Sequence, residues 1–321
     1  MRRFSIAVVV LLAAVAALAA WGAAPSAGKV SGVGAPAAKP KAKPKLPPKP
    51  KRSKLPAEVR QRGKFVIGVK CDFAPFGFID AGGKNDGYDV EVARRFAQLA
   101  FGSKSKLELV CVTTPSRIPT LQSKRVDVIV STLTWTKART EVIAYSIPYY
   151  AATGRLLVPN NSSIRTVRNL AGKTIVTTRG ALYAAWTRNC FKDSKLLEVD
   201  SPALAVSAVK NGTADTFMFD DAFLLGVATQ DPNLKLTNDK FLAIPWGVGI
   251  RKGEGQMAAW VNTAIRYMRA RDEFAGILRG VGRRTNAPAS LITSFLSQVP
   301  RPKNRFTYPF GKDPVSDCTS G

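Results

Sequence analysis

From Lys64 onward, short apolar runs alternate with stretches whose apolar residues recur every three or four positions. The runs predict strands at Phe65 to Val69, Leu107 to Val112, Val126 to Val130, Arg155 to Val158, Thr174 to Thr178, Leu196 to Val199, Thr216 to Phe219 and Val248 to Arg251. The helical spacing predicts Val90 to Phe101, with Asp89 as N-cap, and Leu182 to Asn189, Pro202 to Lys210, Ala222 to Thr229 and Gln256 to Arg269. Strand and helix in alternation give an α/β architecture with helices on both faces of parallel sheets, and ligands outside the carboxyl ends of the strands. No internal repeat is visible. After Arg284, prolines at 288, 300, 302, 309 and 314 predict one short helix and then irregular chain.

The N-terminus is patterned differently. Met1-Arg2-Arg3 precedes an apolar run from Phe4 to Trp21 and then Gly22-Ala23-Ala24, the three-part layout of a secretory signal over residues 1–24. Cleavage after Ala24 would put Pro25 first in the mature chain, which signal peptidase disfavours, and the run is nearly long enough to stay as an anchor, so both fates remain open. Residues 25–63 read as a Lys/Pro linker, extended because its prolines forbid helix and its lysines repel one another. It is expected to act as a tether, with contact to a membrane or cell-wall polymer as the charged alternative.

Composition narrows the chemistry. The net charge is +26, and residues 55–321 still carry 37 cations against 22 acids, or +15. Nucleic acid is not the expected partner, because an exported chain meets little of it and the basic run lacks interleaved aromatics. With no histidine there is no Ser-His or Cys-His dyad and no His-bearing metal site. No cofactor, metal or phosphate-loop signature is found. Cys71, Cys111, Cys190 and Cys318 lack C-x-x-C spacing, and an even count in an exported chain suggests disulfides.

Four stretches taken in order carry a resemblance: G-V-K-C-D-F-A-P-F-G-F at 68–78, G-Y-D-V-E-V-A at 87–93, R-I-P-T-L-Q-S-K-R-V-D-V-I-V-S-T-L-T-W-T-K-A-R at 117–139, and Y-S-I-P-Y-Y at 145–150. The chain from Lys64 to Val281 resembles the family 3 extracellular solute-binding proteins, the amino-acid receptors of bacterial uptake systems. The resemblance implies two α/β lobes with ligand between them. Lobe one would be 64–153 plus 246–321, lobe two 160–244, and the hinge crossings 154–159 and 245–250. The first two strands are neighbours in such a fold, which implies a Cys71 to Cys111 bridge and leaves Cys190 for Cys318.

Arg139, with Ser131, Thr132 and Thr134, has the chemistry of a carboxylate site: a planar guanidinium fork matches two oxygens and hydroxyls complete the set. The family pattern makes Ser131, Thr132 and Arg139 the α-carboxylate clamp, with Thr134 either in the clamp or capping the next helix. Asp220, at the end of an apolar strand, is expected to receive the ligand ammonium, and neighbouring Asp221 to cap a helix. Phe73 would cover the ligand, while Phe76 and Trp135 are expected in the core. Where the family commonly shows Gly-Thr-Thr, this chain has Gly180-Ala181-Leu182, so backbone N–H groups at Gly180 and Ala181, with Arg179, would have to compensate. Lys70 and Arg117, both expected at carboxyl ends of strands, resemble members that bind glutamate or aspartate. A neutral polar amino acid such as glutamine is the alternative.

The function expected is therefore a monomeric, non-catalytic receptor, periplasmic or on the extracytoplasmic surface, that passes an amino acid to an ABC permease. Exported dehydratases on the same fold are the enzymatic alternative. They need an acid over a leaving hydroxyl, and the cleft acid legible here is assigned to the ammonium.

Overall fold

The computed structural model describes residues 46–319. The signal segment and most of the Lys/Pro stretch therefore lie outside the described residues. The rest forms a two-lobed α/β structure around two large sheets, with a small antiparallel three-stranded sheet of Asp72–Phe73, Gly77–Ile79 and Asn85–Asp86 beside them.

The first sheet has the strand order Leu107–Val112, Phe65–Lys70, Val128–Val130, Gly249–Arg251, Ile143–Tyr145. Its first three strands are parallel, and Gly249–Arg251 runs antiparallel to both its neighbours. Alternate apolar residues Phe65, Ile67 and Val69 are fully buried. Helix Tyr88–Phe101 covers one face through Val92, Ala93, Phe96 and Ala100. It ends where Gly102, at φ 78°, takes the left-handed conformation and returns its N–H to Gln98.

The second sheet has the order Lys195–Val199, Thr174–Thr178, Thr216–Asp220, Thr153–Pro159, Leu234–Leu236, and Phe241–Ala243 also pairs with Thr153–Pro159. Lys195–Val199, Thr174–Thr178 and Thr216–Asp220 are parallel, while Thr153–Pro159 is antiparallel to Thr216–Asp220. Neither sheet is wholly parallel, because the returning strand of each lobe enters in the opposite sense.

That strand corrects the hinge. Residues 154–159 were expected to cross between lobes, but they are already central in the second sheet. The crossing lies earlier, at 146–152, and pairs antiparallel with 244–248 through Ser146 N to Val248 O, Tyr149 N to Trp246 O, Trp246 N to Tyr150 O and Ile244 N to Ala152 O. The two crossings thus form one hydrogen-bonded ribbon.

Two further boundaries move. The described part of the expected linker is not all spacer: Leu55 and Val59 are fully buried, Ala57–Arg62 is helical, and Trp260 Nε1 donates to Lys51 O at 3.1 Å. Leu55 and Val59 give this segment an apolar anchor that the preceding lysines and prolines lack. At the other end, the tail assigned to lobe one finishes on lobe two, where Cys318 bonds Cys190 at the end of helix Leu182–Cys190. The second disulfide, Cys71 to Cys111, joins the region of two neighbouring strands of the first sheet. Among the described residues, no helix is long and apolar enough to cross a membrane.

Candidate functional site

The carboxyl ends of the parallel strands of both sheets meet at a narrow cleft. Lobe one contributes Thr114, Arg117, Thr132, Thr134 and Arg139, and lobe two Ala181, Leu182, Tyr183, Phe219 and Asp220. A larger groove, lined by Trp135, Tyr145, Tyr308 and Phe310 among others, has Lys252 as its one charged lining residue among those described and lacks the opposed charges a zwitterion needs.

Arg139 belongs to the short helix Lys137–Thr140, whose N-cap Thr136 accepts from Arg139 N. The cap is Thr136, not Thr134, because Thr136 directly precedes the helix and its hydroxyl accepts from Arg139 N, whereas Thr134 bridges to Trp246. Arg139 Nη1 donates to Thr134 O at 2.6 Å and Nη2 to Gly180 O at 2.8 Å, so its fork already reaches the other lobe. Gly180 sits at φ 75°, and a Cβ there would come within 3.2 Å of Pro115. Glycine is therefore required both by the turn and by the approach of lobe one.

Across the cleft, Asp220 is buried and its Oδ1 accepts from Tyr183 OH at 2.7 Å. Burial raises its pKa to about 6, against the opposing pull of Tyr183 and Arg117. Asp221 is not a cap: it is the first residue of its helix, its Oδ1 accepts from Thr153 N at 3.1 Å and its Oδ2 from Gln298 Nε2 at 2.6 Å. The cleft thus faces a guanidinium with a carboxylate, the complement of an α-amino acid's two charged ends.

Several residues expected to touch ligand are placed elsewhere. Lys70 is fully buried, its Nζ 2.8 Å from Asp72 Oδ1 and 2.8 Å from Thr114 Oγ1, and it does not line the cleft. Burial pushes its pKa down to about 8 while Asp72 pulls it up. The acidic neighbour two residues on in the same loop withdraws the cation. Arg117 does line the cleft, but its Nη1 donates to Ser131 O at 2.7 Å and Thr132 O at 3.1 Å. Burial, with the Arg139 charge second, lowers its pKa to about 10. Ser131 lies beneath the cleft surface, fully buried. Phe73 packs in an aromatic cluster, its ring centroid 5.7 Å from Phe219, 5.1 Å from Phe223 and 5.8 Å from Trp246. It joins the lobes and does not line the cleft. Arg179 is 57 % exposed and pairs with Asp200, because the turn at Gly180 sends its side chain away from Ala181. Phe76 is fully buried and Trp135 packs against Tyr308.

The sequence reading missed a support behind the clamp. Asp89 is the second residue of its helix, and the N-cap is Gly87. Its buried carboxylate accepts from Thr132 N at 2.9 Å and from Tyr149 OH at 3.0 Å. Thr132 holds φ 48°, rare for a residue with a Cβ, and Arg117, Asp89 and Tyr149 together keep its peptide groups in that conformation. Thr114 and Tyr183, which bond Lys70 and Asp220, were also missed.

Comparison with known proteins identifies the family and the fold. The chain matches the model of bacterial extracellular solute-binding proteins, family 3, over residues 65–280. It is 35% identical over 197 residues to a glutamine-binding protein of Geobacillus stearothermophilus, covering 61% of this chain and 75% of that one. It is 32% identical over 216 residues to the ABC transporter glutamine-binding protein GlnH of Bacillus subtilis, covering 67% and 79%. Among solved structures, a solute receptor for L-cysteine of Neisseria gonorrhoeae superposes with a TM-score of 0.66 at 29% identity, over 71% of this chain and 92% of that one. The chain belongs to the bacterial extracellular solute-binding proteins of family 3.

Proposed function

We propose that the chain, an amino-acid-binding receptor of an ABC transport system, takes a neutral polar amino acid, glutamine foremost. The α-carboxylate would sit on Arg139 with Thr132 and Thr134, and the ammonium on Asp220. The observation that carries the choice is the pairing of Lys70 with Asp72, which removes from the cleft the cation that a glutamate or aspartate side chain was expected to meet. The two relatives named as glutamine-binding support the same reading. Of the residues lining the cleft Asp220 is the one acid, so a dehydratase would have no second carboxyl to use.

Closure follows from the charge layout. Neither lobe alone satisfies both ends of a zwitterion, and since Arg139 and Asp220 already line one cleft here, bending of the paired crossings 146–152 and 244–248 would open it to admit a ligand and return both residues onto it. The permease would then recognise the closed form.

A second reading has one observation in its favour. Arg117 reaches the cleft and its buried Nε has no hydrogen-bond partner among the described residues, which suits an acidic side chain. Calorimetric titration with glutamine, glutamate and aspartate decides between them. Glutamine is expected at least tenfold tighter. Tighter glutamate returns the acidic assignment, and heat from none of the common amino acids removes the receptor reading.

A further inference from the structure

The C-terminal tail lies beyond the residues that match the family and makes contacts on both lobes. Its path starts at the hinge. Gln298 O accepts from Ala151 N at 2.8 Å, and its side chain accepts from Tyr150 OH at 2.7 Å and donates to Asp221 of lobe two at 2.6 Å. Tyr308 then enters the ribbon of crossings. Its hydroxyl donates to Ser146 O at 2.8 Å, and a Cβ at Gly247 would lie 1.8 Å from that hydroxyl, so the ring occupies space beside the second crossing.

From there the tail contacts, in each lobe, an element that also reaches the cleft. Trp135 stacks on Tyr308 at 6.1 Å, and Trp135 leads directly into the helix that carries Arg139. Beyond it, Asn189 Nδ2 donates to Val315 O at 3.0 Å and Trp186 Nε1 to Asp317 O at 2.9 Å. Cys318 closes the path on Cys190, in the helix whose first turn brings Leu182 and Tyr183 to the cleft.

We infer that residues 297–318 are a strap that restrains separation of the two lobes, and that the Cys190–Cys318 bond keeps its end on lobe two when they part. The inference rests on the closure described above and assigns it a restraint that the two crossings alone do not provide. The bond does not lock the lobes. Ten residues from Tyr308 to Cys318 could span about 35 Å if fully extended, whereas here they are folded into turns. Opening must therefore unfold the turns and draw Tyr308 or Trp135 out of its packing, and the cost rises as the cleft widens. Without the disulfide the tail could peel from Trp186 and Asn189 instead, and lobe two would swing free. The bond also makes the restraint sensitive to thiol reductants.

The test isolates this bond. In the Cys71→Ser/Cys111→Ser protein the remaining disulfide is Cys190–Cys318, so tris(2-carboxyethyl)phosphine acts on the strap alone, with released thiols counted. A second protein, Cys190→Ser/Cys318→Ser, gives the same state without reductant. Small-angle scattering without ligand should show the radius of gyration, roughly 20 Å for a compact chain of this length, rising by a few per cent in both cases. Release of bound glutamine should speed up by about threefold or more. An unchanged radius in the reduced protein overturns the strap, even if the serine variant misfolds and whatever the ligand does. Glutamine that binds neither form overturns the ligand assignment and leaves the radius to judge the strap.

Discussion

Arg139 of lobe one donates through Nη2 to the carbonyl oxygen of Gly180 in lobe two, 2.8 Å away. The guanidinium expected to hold the ligand thus already joins the two lobes through a backbone group. A carboxylate arriving in the cleft exchanges a neutral acceptor for a charged one, and its two oxygens can take two N–H groups of the planar fork at once. The same group can therefore hold the lobes together and still favour ligand over its resting partner.

Arg139→Ala should consequently lose both roles. Every amino acid carries the α-carboxylate, so titration should show affinity falling about a hundredfold or more for all ligands alike, close to 3 kcal/mol. A loss confined to one amino acid would place Arg139 on the side chain and move the carboxylate elsewhere.

Asp220 gives the binding its pH dependence. Its pKa is raised to about 6 by burial, so in the free protein the carboxyl gains a proton as pH falls through 6 and ceases to attract an ammonium. Affinity should be flat above pH 7 and weaken by about tenfold for each unit below 6. Titrations between pH 4.5 and 8 would show this, and Asp220→Asn should bind weakly with no break near 6. A break retained in that variant would assign it to another group.

Much of this was legible in the sequence for a physical reason. Buried strands of parallel sheets must be continuous apolar runs, so Phe65–Lys70 and Thr216–Asp220 announce themselves, and a charged residue closing such a run must meet something. Asp220 was legible on that ground, and Arg139 because of the hydroxyl-rich stretch before it. Lys70 misled because the pattern locates its Cα at a strand end but says nothing of its rotamer. Asp72, two residues on, decided that. Asp89 misled because an acid just before an apolar helical pattern is usually its cap. Its true partners, Thr132 N and Tyr149 OH, are 43 and 60 residues away, beyond any local signal. The tail's prolines correctly indicated irregular chain and carried no information about its route.

Asp89→Ala tests the support beneath Thr132. The change leaves the Tyr149 hydroxyl buried without its acceptor, at a cost of about 1 to 3 kcal/mol, and leaves the Thr132 N–H with the longer bond to the Tyr149 oxygen alone. Denaturant unfolding should show a loss in that range or above it, with weaker ligand binding as Thr132 relaxes. Burial raises the Asp89 pKa to about 7, so the folded state binds its proton more tightly than the unfolded chain. That contribution is fully present below pH 4 and lost as pH rises through 7. The variant should lack this part of the slope of stability with pH, while a slope equal to the parent's would count against it.

The last prediction concerns Lys70 and separates structure from specificity. Lys70 is fully buried against Asp72 and Thr114, so Lys70→Met leaves the Asp72 carboxylate without its cation and Thr114 without its donor. Removing one member of a buried pair typically costs about 3 to 5 kcal/mol, and although the Asp72 side chain as a whole is 24 % exposed, both its carboxylate oxygens are buried, so a loss near the lower figure is expected. Asp72→Ala should be more damaging still, since Lys70 has no solvent to turn to, and Lys70→Met with Asp72→Ala should recover part of both losses. That non-additivity is what a coupled pair must show. Ligand preference should behave otherwise. Because the Lys70 ammonium is spent on Asp72, the ratio of glutamine to glutamate affinity should stay within about threefold of the parent in Lys70→Met, although both ligands bind a less stable protein. A selective loss of glutamate affinity beyond tenfold would mean that Lys70 leaves Asp72 when an acidic ligand arrives. The cation would then belong to the cleft after all, and the acidic ligand to the receptor.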